Sequence, residues 1–196
     1  MDLLKPLSTL ALTLTLILGV SSAAHADSDY TTLRFHSETG VQMYKGGFSS
    51  VGQLTMRYRF AENFYADVVG RSGTVHARSQ FEDQFYLALA AGPGITTGEA
   101  PDGWEFRLSP RVTHVHHATT ASWRATPIAN MLGDSDGGVE HRTGLELALG
   151  VTGSRFGRLG QRRFIWSADV ITNLLPSSDV MRYGVGAVVG ISLTRN

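Results

Sequence analysis

The sequence predicts an all-β fold, in which eight antiparallel strands close into one up-and-down transmembrane β-barrel behind an N-terminal signal peptide. Apolar and polar residues alternate in segment after segment, as in strands that have two different faces. No apolar run beyond residue 26 is long enough for a transmembrane helix. The 17 basic and 17 acidic residues cancel, so the net charge gives no reason to expect a nucleic acid partner.

Residues 1–26 have the pattern of an export signal. Lys5 precedes an apolar run over residues 10–20, and small residues follow at Ala24 and Ala26. We expect cleavage after Ala26, which leaves residues 27–196 as the β-barrel, a single domain without a linker. Because the chain contains no cysteine, disulfides, a lipid-modified cysteine and thiolate metal sites are excluded.

Eight segments show the alternation, and the first is among the clearest. Between Leu33 and Met43 the odd positions are mostly apolar, whereas the even positions include Arg34 and Glu38. An even number of strands of this length suits a barrel that crosses a membrane with both termini on one side. The predicted strands cover residues 30–44, 51–60, 64–77, 82–92, 104–117, 139–152, 162–174 and 180–194.

The charged residues favour a membrane barrel over a soluble one. Lys45 is the single lysine after residue 26, whereas soluble surfaces are rich in lysine and glutamate. Most charges are arginines and carboxylates within strands, and an eight-stranded barrel is just wide enough for side chains to fill it. We therefore expect a plugged lumen and no general diffusion channel. The predicted lumen charge network comprises Arg34, Glu38, Arg57, Arg59, Asp67, Arg107, Arg111, Glu140, Arg142, Glu146, Asp169 and Arg182.

Aromatic residues near the predicted strand ends indicate two girdles at the membrane interfaces. One set is Tyr30, Phe60, Phe64, Trp104 and Phe164, and the other is Tyr44, Phe48, Phe81, Phe85 and Tyr183.

The export signal, the alternating strands and the ionic inner face together resemble the small outer-membrane barrels of the OmpA-transmembrane type, over residues 27–196. The resemblance implies an outer-membrane location, contact with outer-membrane lipid and lipopolysaccharide, and insertion by the barrel-insertion machinery. We also expect a monomer without a cofactor. Both termini should lie in the periplasm, and the longest connection, Thr119 to Gly138, should lie outside the cell.

The fifth predicted strand ends in a histidine cluster, His114, His116 and His117, and His141 follows on the sixth strand. By strand parity His114 and His116 face lipid, unless a bulge at Pro110 reverses the faces. These histidines are candidate binding residues, and hydrogen bonding to lipid headgroups is the favoured interpretation. Imidazoles two residues apart, with a third across the ladder, can also hold Zn²⁺ or Cu²⁺. Spacing alone is weak support, so the sequence predicts no metal.

The same cluster resembles the site of outer-membrane lipid A deacylases, which carry a His-x-Ser pair on an outward strand face and a glutamate that orients the histidine. His114 matches the histidine, but His116 occupies the serine position. A hydrolase would need Ser122 or Thr143 as nucleophile and Glu140 as orienting group. The favoured function is a non-enzymatic structural or surface-interaction barrel. The alternatives are a lipid A-modifying hydrolase acting at the outer leaflet through His114, and a narrow small-solute pore.

Overall fold

The computed structural model describes residues 32–78, 82–97, 104–133, 138–159, 162–176 and 180–195. The predicted signal peptide lies outside these residues. Eight antiparallel strands form a closed barrel, in which sequence neighbours pair and the last strand returns to the first. The predicted fold is therefore confirmed. The strands are β1 (Thr32–Tyr44), β2 (Gly47–Ala61), β3 (Phe64–Ala77), β4 (Gln84–Thr96), β5 (Glu105–Thr119), β6 (Glu140–Leu159), β7 (Arg162–Leu174) and β8 (Tyr183–Arg195).

Two short helices, α1 (Thr120–Ala125) and α2 (Pro127–Leu132), lie between β5 and β6. Thr119 caps the first helix, because its Oγ1 accepts a hydrogen bond from the backbone N–H of Ser122 at 3.2 Å. Gly133 ends the second with φ of 78°, a left-handed conformation that glycine adopts without strain. We call this end of the barrel the helix end and the opposite end, where β1 begins and β8 stops, the terminal end. Among the described residues, no helix is long and apolar enough to cross a membrane.

The strands place polar side chains in the lumen and apolar side chains on the outer wall. In β1, Arg34 and Glu38 are buried, whereas Phe35 and Val41 are 58% and 60% exposed. A closed ladder leaves no strand edge unpaired, so such a wall can face hydrocarbon. One aromatic prediction was wrong: Tyr44 is buried in the lumen rather than placed at an interface. Other members of the two aromatic sets are exposed on the wall, namely Phe48, Phe64, Trp104 and Tyr183.

Three strands differ from their predicted bounds by four residues or more at one end. The second begins at residue 47 rather than 51, the fourth covers 84–96 rather than 82–92, and the sixth continues to 159 rather than ending at 152. The predicted fourth strand ends at Gly92, before Pro93, but β4 runs through both residues to Thr96. Pairing between β4 and β5 pauses there and resumes in the same register, and β5 stays in register with β6 past Pro110. Pro110 therefore does not reverse the two faces of β5.

An apolar cluster fills the lumen at the helix end. It combines inward side chains of the strands with Leu175, Val180 and Met181, which are described residues of the β7–β8 connection. Backbone hydrogen bonds fix that connection, from Gly46 N to the Val180 carbonyl and from Leu175 N to the Arg182 carbonyl, both 2.9 Å long. Members of this apolar cap are Tyr44, Val75, Tyr86, Val115, Leu175, Val180 and Met181.

Candidate functional site

A continuous chain of ion pairs crosses the middle of the lumen. Arg57 Nε donates to Asp67 Oδ1 at 2.8 Å. Arg111 bridges the two carboxylates, donating to Asp67 Oδ2 at 2.5 Å and to Glu146 Oε1 at 2.9 Å. Arg71 completes the chain with a 2.6 Å bond from Nη1 to Glu146 Oε2. All of these side chains are buried, so each carboxylate has two guanidinium groups in place of water.

Further pairs lie nearer the terminal end. Arg34 on β1 donates to Glu105 on β5 at 3.1 Å, which joins opposite sides of the eight-stranded barrel. Arg107 Nη2 donates to Asp169 Oδ1 at 2.6 Å. Glu38 accepts hydrogen bonds from neutral groups instead, namely Gln53 Nε2 at 2.6 Å, Thr55 Oγ1 at 3.1 Å and Ser167 Oγ at 2.9 Å.

Several members of the predicted lumen network lie elsewhere. Arg59 is buried, but it donates to the backbone carbonyls of Ala61 and Glu62 in the turn at the terminal end. Glu140 is exposed and pairs with partly exposed Arg142 at the rim of the helix end. These two keep the inward parity of β6 but lie beyond the filled part of the lumen.

Arg182 is also outside the network. It precedes β8 and is exposed, with its guanidinium 5.6 Å from the centre of the Tyr183 ring. Conversely, Arg71 and Glu105 belong to the network although the predicted set does not contain them. Strand parity in the sequence predicts that Arg71 faces the lumen, because Arg71 has the same parity as Asp67 in β3.

Three histidines meet on the outer wall near the helix end. His114 and His116 lie on the outward face of β5, and His116 pairs across the ladder with His141 of β6. Nε2 of His114 and Nε2 of His116 are 3.0 Å apart. One nitrogen from each of the three rings lies within 4.8 Å of the others. Nδ1 of His114 is 2.9 Å from Oγ1 of Thr143, on the same outward face.

The end of α2 covers the three histidines. Nε2 of His141 donates to the backbone carbonyl of Gly133 at 2.8 Å. The His116 ring lies close to the backbone of Asn130 and Met131 in the last turn of α2. A side chain at Gly133 would collide with the rings of His116 and His141, so the close approach of helix and wall requires glycine there. Consequently His114 and His116 are half-buried, although they point away from the lumen.

The fourth predicted binding residue, His117, lies on the opposite face of β5. It is buried on the lumen side, where Nδ1 is 3.1 Å from Oε1 of Gln84 and Nε2 is 3.9 Å from Glu140. The hydrolase alternative with Glu140 as orienting group and Ser122 as nucleophile is therefore not assembled around His114. Glu140 approaches His117 rather than His114, and the Ser122 hydroxyl accepts a hydrogen bond from Nδ2 of Asn130 at 3.1 Å.

His76 on β3 is separate from this cluster. Its Nδ1 is 3.2 Å from Oδ2 of Asp83, which precedes β4. The backbone N–H of Ala77 donates to the other carboxylate oxygen at 3.0 Å. That backbone hydrogen bond, with the His76 contact, lowers the pKa of Asp83 below its ordinary value.

No protein-family model matches the chain, and no curated protein matches its sequence. Its fold is similar to that of Neisserial surface protein A, NspA, with a TM-score of 0.53 and 9% identity over 85% of this chain and 97% of that one. The N-terminal β-barrel domain of OprF from Pseudomonas aeruginosa aligns with a TM-score of 0.49 and 12% identity, over 84% of this chain and 98% of that domain. The similarity to NspA shows that the chain has the fold of a small outer-membrane β-barrel, as its sequence predicts. The apolar outer wall agrees with the predicted outer-membrane location.

Proposed function

We propose that this chain is an outer-membrane protein that acts through its outer surface, with a lumen closed to solutes. The observation that carries the proposal is the set of buried ion pairs joining opposite parts of the wall. Arg71 of β3 reaches Glu146 of β6, and Arg34 of β1 reaches Glu105 of β5. A solute crossing the lumen would have to separate these pairs, and leaving one partner of a buried pair uncompensated costs about 3–5 kcal/mol.

The apolar cap at the helix end supports the same proposal. Leu175 and Met181 come from the β7–β8 connection and pack with Tyr44 and Tyr86 of the wall. All four side chains are at most 4% exposed. An ion entering at this end would lose its hydration against apolar groups, which adds a second barrier in series with the ion pairs.

Conductance in planar lipid bilayers tests the closed lumen. We expect the reconstituted full-length protein to give no discrete current steps. A heat-dependent shift in gel mobility, measured on the same sample, verifies that folded barrel is present. As a matched variant, Leu175→Ser with Met181→Ser weakens the cap but keeps the ion pairs, and it should also be silent. Reproducible unitary steps from the wild type would overturn the proposal in favour of the narrow pore.

The outer surface has a feature suited to lipid contact at the helix end. The aromatic ring of Trp123 in α1 packs against Phe85 on the outward face of β4, with ring centres 4.9 Å apart. This contact places α1 against the outside of the wall, and the bond from His141 to the Gly133 carbonyl places the end of α2 there as well. The second helix exposes Ile128, Met131 and Leu132. We propose that these side chains contact outer-leaflet lipid, including lipopolysaccharide.

A second candidate function, a lipid A-modifying hydrolase, is favoured by one contact. The Thr143 hydroxyl lies 2.9 Å from His114 Nδ1 on a lipid-facing surface, and a hydroxyl beside an imidazole is the arrangement of an activated nucleophile. Mass spectrometry of lipid A tests it, in cells that overexpress the wild type or Thr143→Val. Loss of an acyl chain with the wild type and not with the variant would establish hydrolysis. An unchanged acyl pattern with both removes this candidate.

A further inference from the structure

We infer that His114, His116 and His141 form a binding site for a divalent transition-metal ion, Zn²⁺ or Cu²⁺, on the outer wall beneath the end of α2. The proposal goes beyond the closed barrel and does not depend on whether the lumen conducts. Among the described residues, this is where three potential metal ligands come together, with one nitrogen of each ring within 4.8 Å of the others. Neutral imidazole is a preferred ligand of both ions.

The spacing of the ring nitrogens suits a shared ion. The Nε2 atoms of His114 and His116 are 3.0 Å apart. Two nitrogens bound to one tetrahedral Zn²⁺ at 2.0–2.1 Å lie about 3.3 Å apart. Without a metal, two neutral imidazoles at this distance need a proton between them, because two lone pairs would repel. An ion would take the place of that proton and draw in the third ring.

Hydrogen bonds to the ring nitrogens that would not bind the ion favour the ring orientations needed for metal binding. A metal-bound histidine usually donates its second N–H to an oxygen, which fixes the tautomer and the ring direction. Nδ1 of His114 has such a partner in Oγ1 of Thr143, which leaves Nε2 for the ion. Nε2 of His141 donates to the Gly133 carbonyl, so its Nδ1 carries the lone pair. The His116 ring is confined from the α2 side by Gly133, where an added side chain would collide with the ring.

The position of the site also explains why it would remain accessible to an ion. His141 is exposed, whereas His114 and His116 are half-buried under α2. Three protein ligands leave further coordination positions for water or a lipid oxygen, as in open zinc sites. Because the Gly133 carbonyl at the end of α2 accepts a hydrogen bond from His141, the bound ion would fasten the end of the helix to the barrel wall.

Metal titration of the full-length protein in detergent micelles, without a polyhistidine tag, tests the site. With Zn²⁺ and Cu²⁺ against a chromogenic chelator, we expect one saturable site per chain and no competition from Mg²⁺. His141→Ala should weaken binding by more than about 100-fold, because it removes a direct ligand, and Thr143→Val by about 10–100-fold, because it removes only the hydrogen bond that orients His114. His141 and Thr143 are exposed, so neither change should prevent folding.

His76→Ala is the matched control, since His76 is a partly exposed histidine engaged with Asp83 rather than with the cluster. It should leave the affinity unchanged. X-ray absorption at the zinc edge provides an independent readout and should give imidazole nitrogens at about 2.0–2.1 Å. The inference is overturned if no saturable site is found, if His76→Ala weakens binding as much as His141→Ala does, or if the absorption spectrum lacks imidazole scattering.

Discussion

At the residue scale, Asp67 holds the centre of the lumen together. Its carboxylate is fully buried and accepts hydrogen bonds from Arg57 and Arg111. Asp67→Asn keeps the shape of the side chain but removes the charge that compensates two guanidinium groups. Since an uncompensated buried charge is costly, the free energy of unfolding should fall by about 3–5 kcal/mol. Urea unfolding of the protein in lipid vesicles, followed by tryptophan fluorescence, measures this change.

Glu140→Gln is the control for Asp67→Asn. Glu140 is exposed at the rim and pairs with Arg142 in contact with solvent, so its loss should change the free energy of unfolding by less than about 1 kcal/mol. Equal effects of the two substitutions would show that burial of the ion pairs does not determine their contribution.

Gly94 is a second residue with a testable role, because the Tyr65 ring packs directly against it. A side chain at this position would overlap the ring, which is itself buried and lies 4.6 Å from the Arg57 guanidinium. Gly94→Ala should therefore destabilise the barrel by about 1–3 kcal/mol, the usual cost of overpacking. Gly70→Ala is the matched control, because nothing lies within 4 Å of the added carbon there. Urea titration should show no loss of stability for that variant, and a loss as large as that of Gly94→Ala would contradict the packing argument.

At the scale of elements, the strands could be predicted from the sequence because alternation is a local property. The bounds of β3 and β7 agree with the expected 64–77 and 162–174. The errors arose at glycine and proline, such as Gly92 and Pro93, where a local break signal competes with a ladder that neighbouring strands maintain. The strand propensity of these residues alone does not predict whether the strand continues, because the pairing on both sides of the interruption fixes the register.

The histidine site was only half predictable. Strand parity places His114 and His116 outward, as the structure has them, and places His117 inward, although the sequence interpretation grouped all three. Strand parity does not predict the path of the connection between β5 and β6. The return of α2 onto the wall brings Gly133 to His141 and keeps Ser122 with Asn130. These contacts depend on tertiary packing of a segment with no periodic pattern.

The helices α1 and α2 form an element whose environment is testable. Leu132 is 73% exposed although it is apolar, and the helices lie on the outside of the wall. If this surface meets lipid, a fluorophore on Leu132→Cys should be strongly quenched by spin-labelled lipid in vesicles. The same probe on Arg124→Cys, an exposed polar position in α1, should be quenched less. Weak quenching at both positions would place the whole segment in water and contradict the proposed lipid contact.

At the scale of the whole molecule, the closed barrel suits two environments, the hydrocarbon outside the wall and the charged lumen inside it. Outward leucine, valine and phenylalanine side chains meet hydrocarbon, while the ladder pairs the backbone groups that lipid cannot. Inside, most of the charged side chains contact groups of opposite charge, so the same alternation that makes the wall apolar also fills the lumen. This is why a chain with equal numbers of acidic and basic residues can be apolar on its membrane face.

Orientation in the membrane follows from this architecture and gives the last prediction. With eight strands, the two termini lie at one end and the helices at the other, and an exported barrel should keep its termini in the periplasm. The chain has no cysteine, so a single introduced thiol reports its own location. A membrane-impermeant maleimide should label Arg124→Cys in intact cells, but Asn63→Cys, in the β2–β3 turn, only after the outer membrane is permeabilised. The opposite pattern would mean that the helices face the periplasm, and the proposed lipid contacts would then have to be assigned to the inner leaflet.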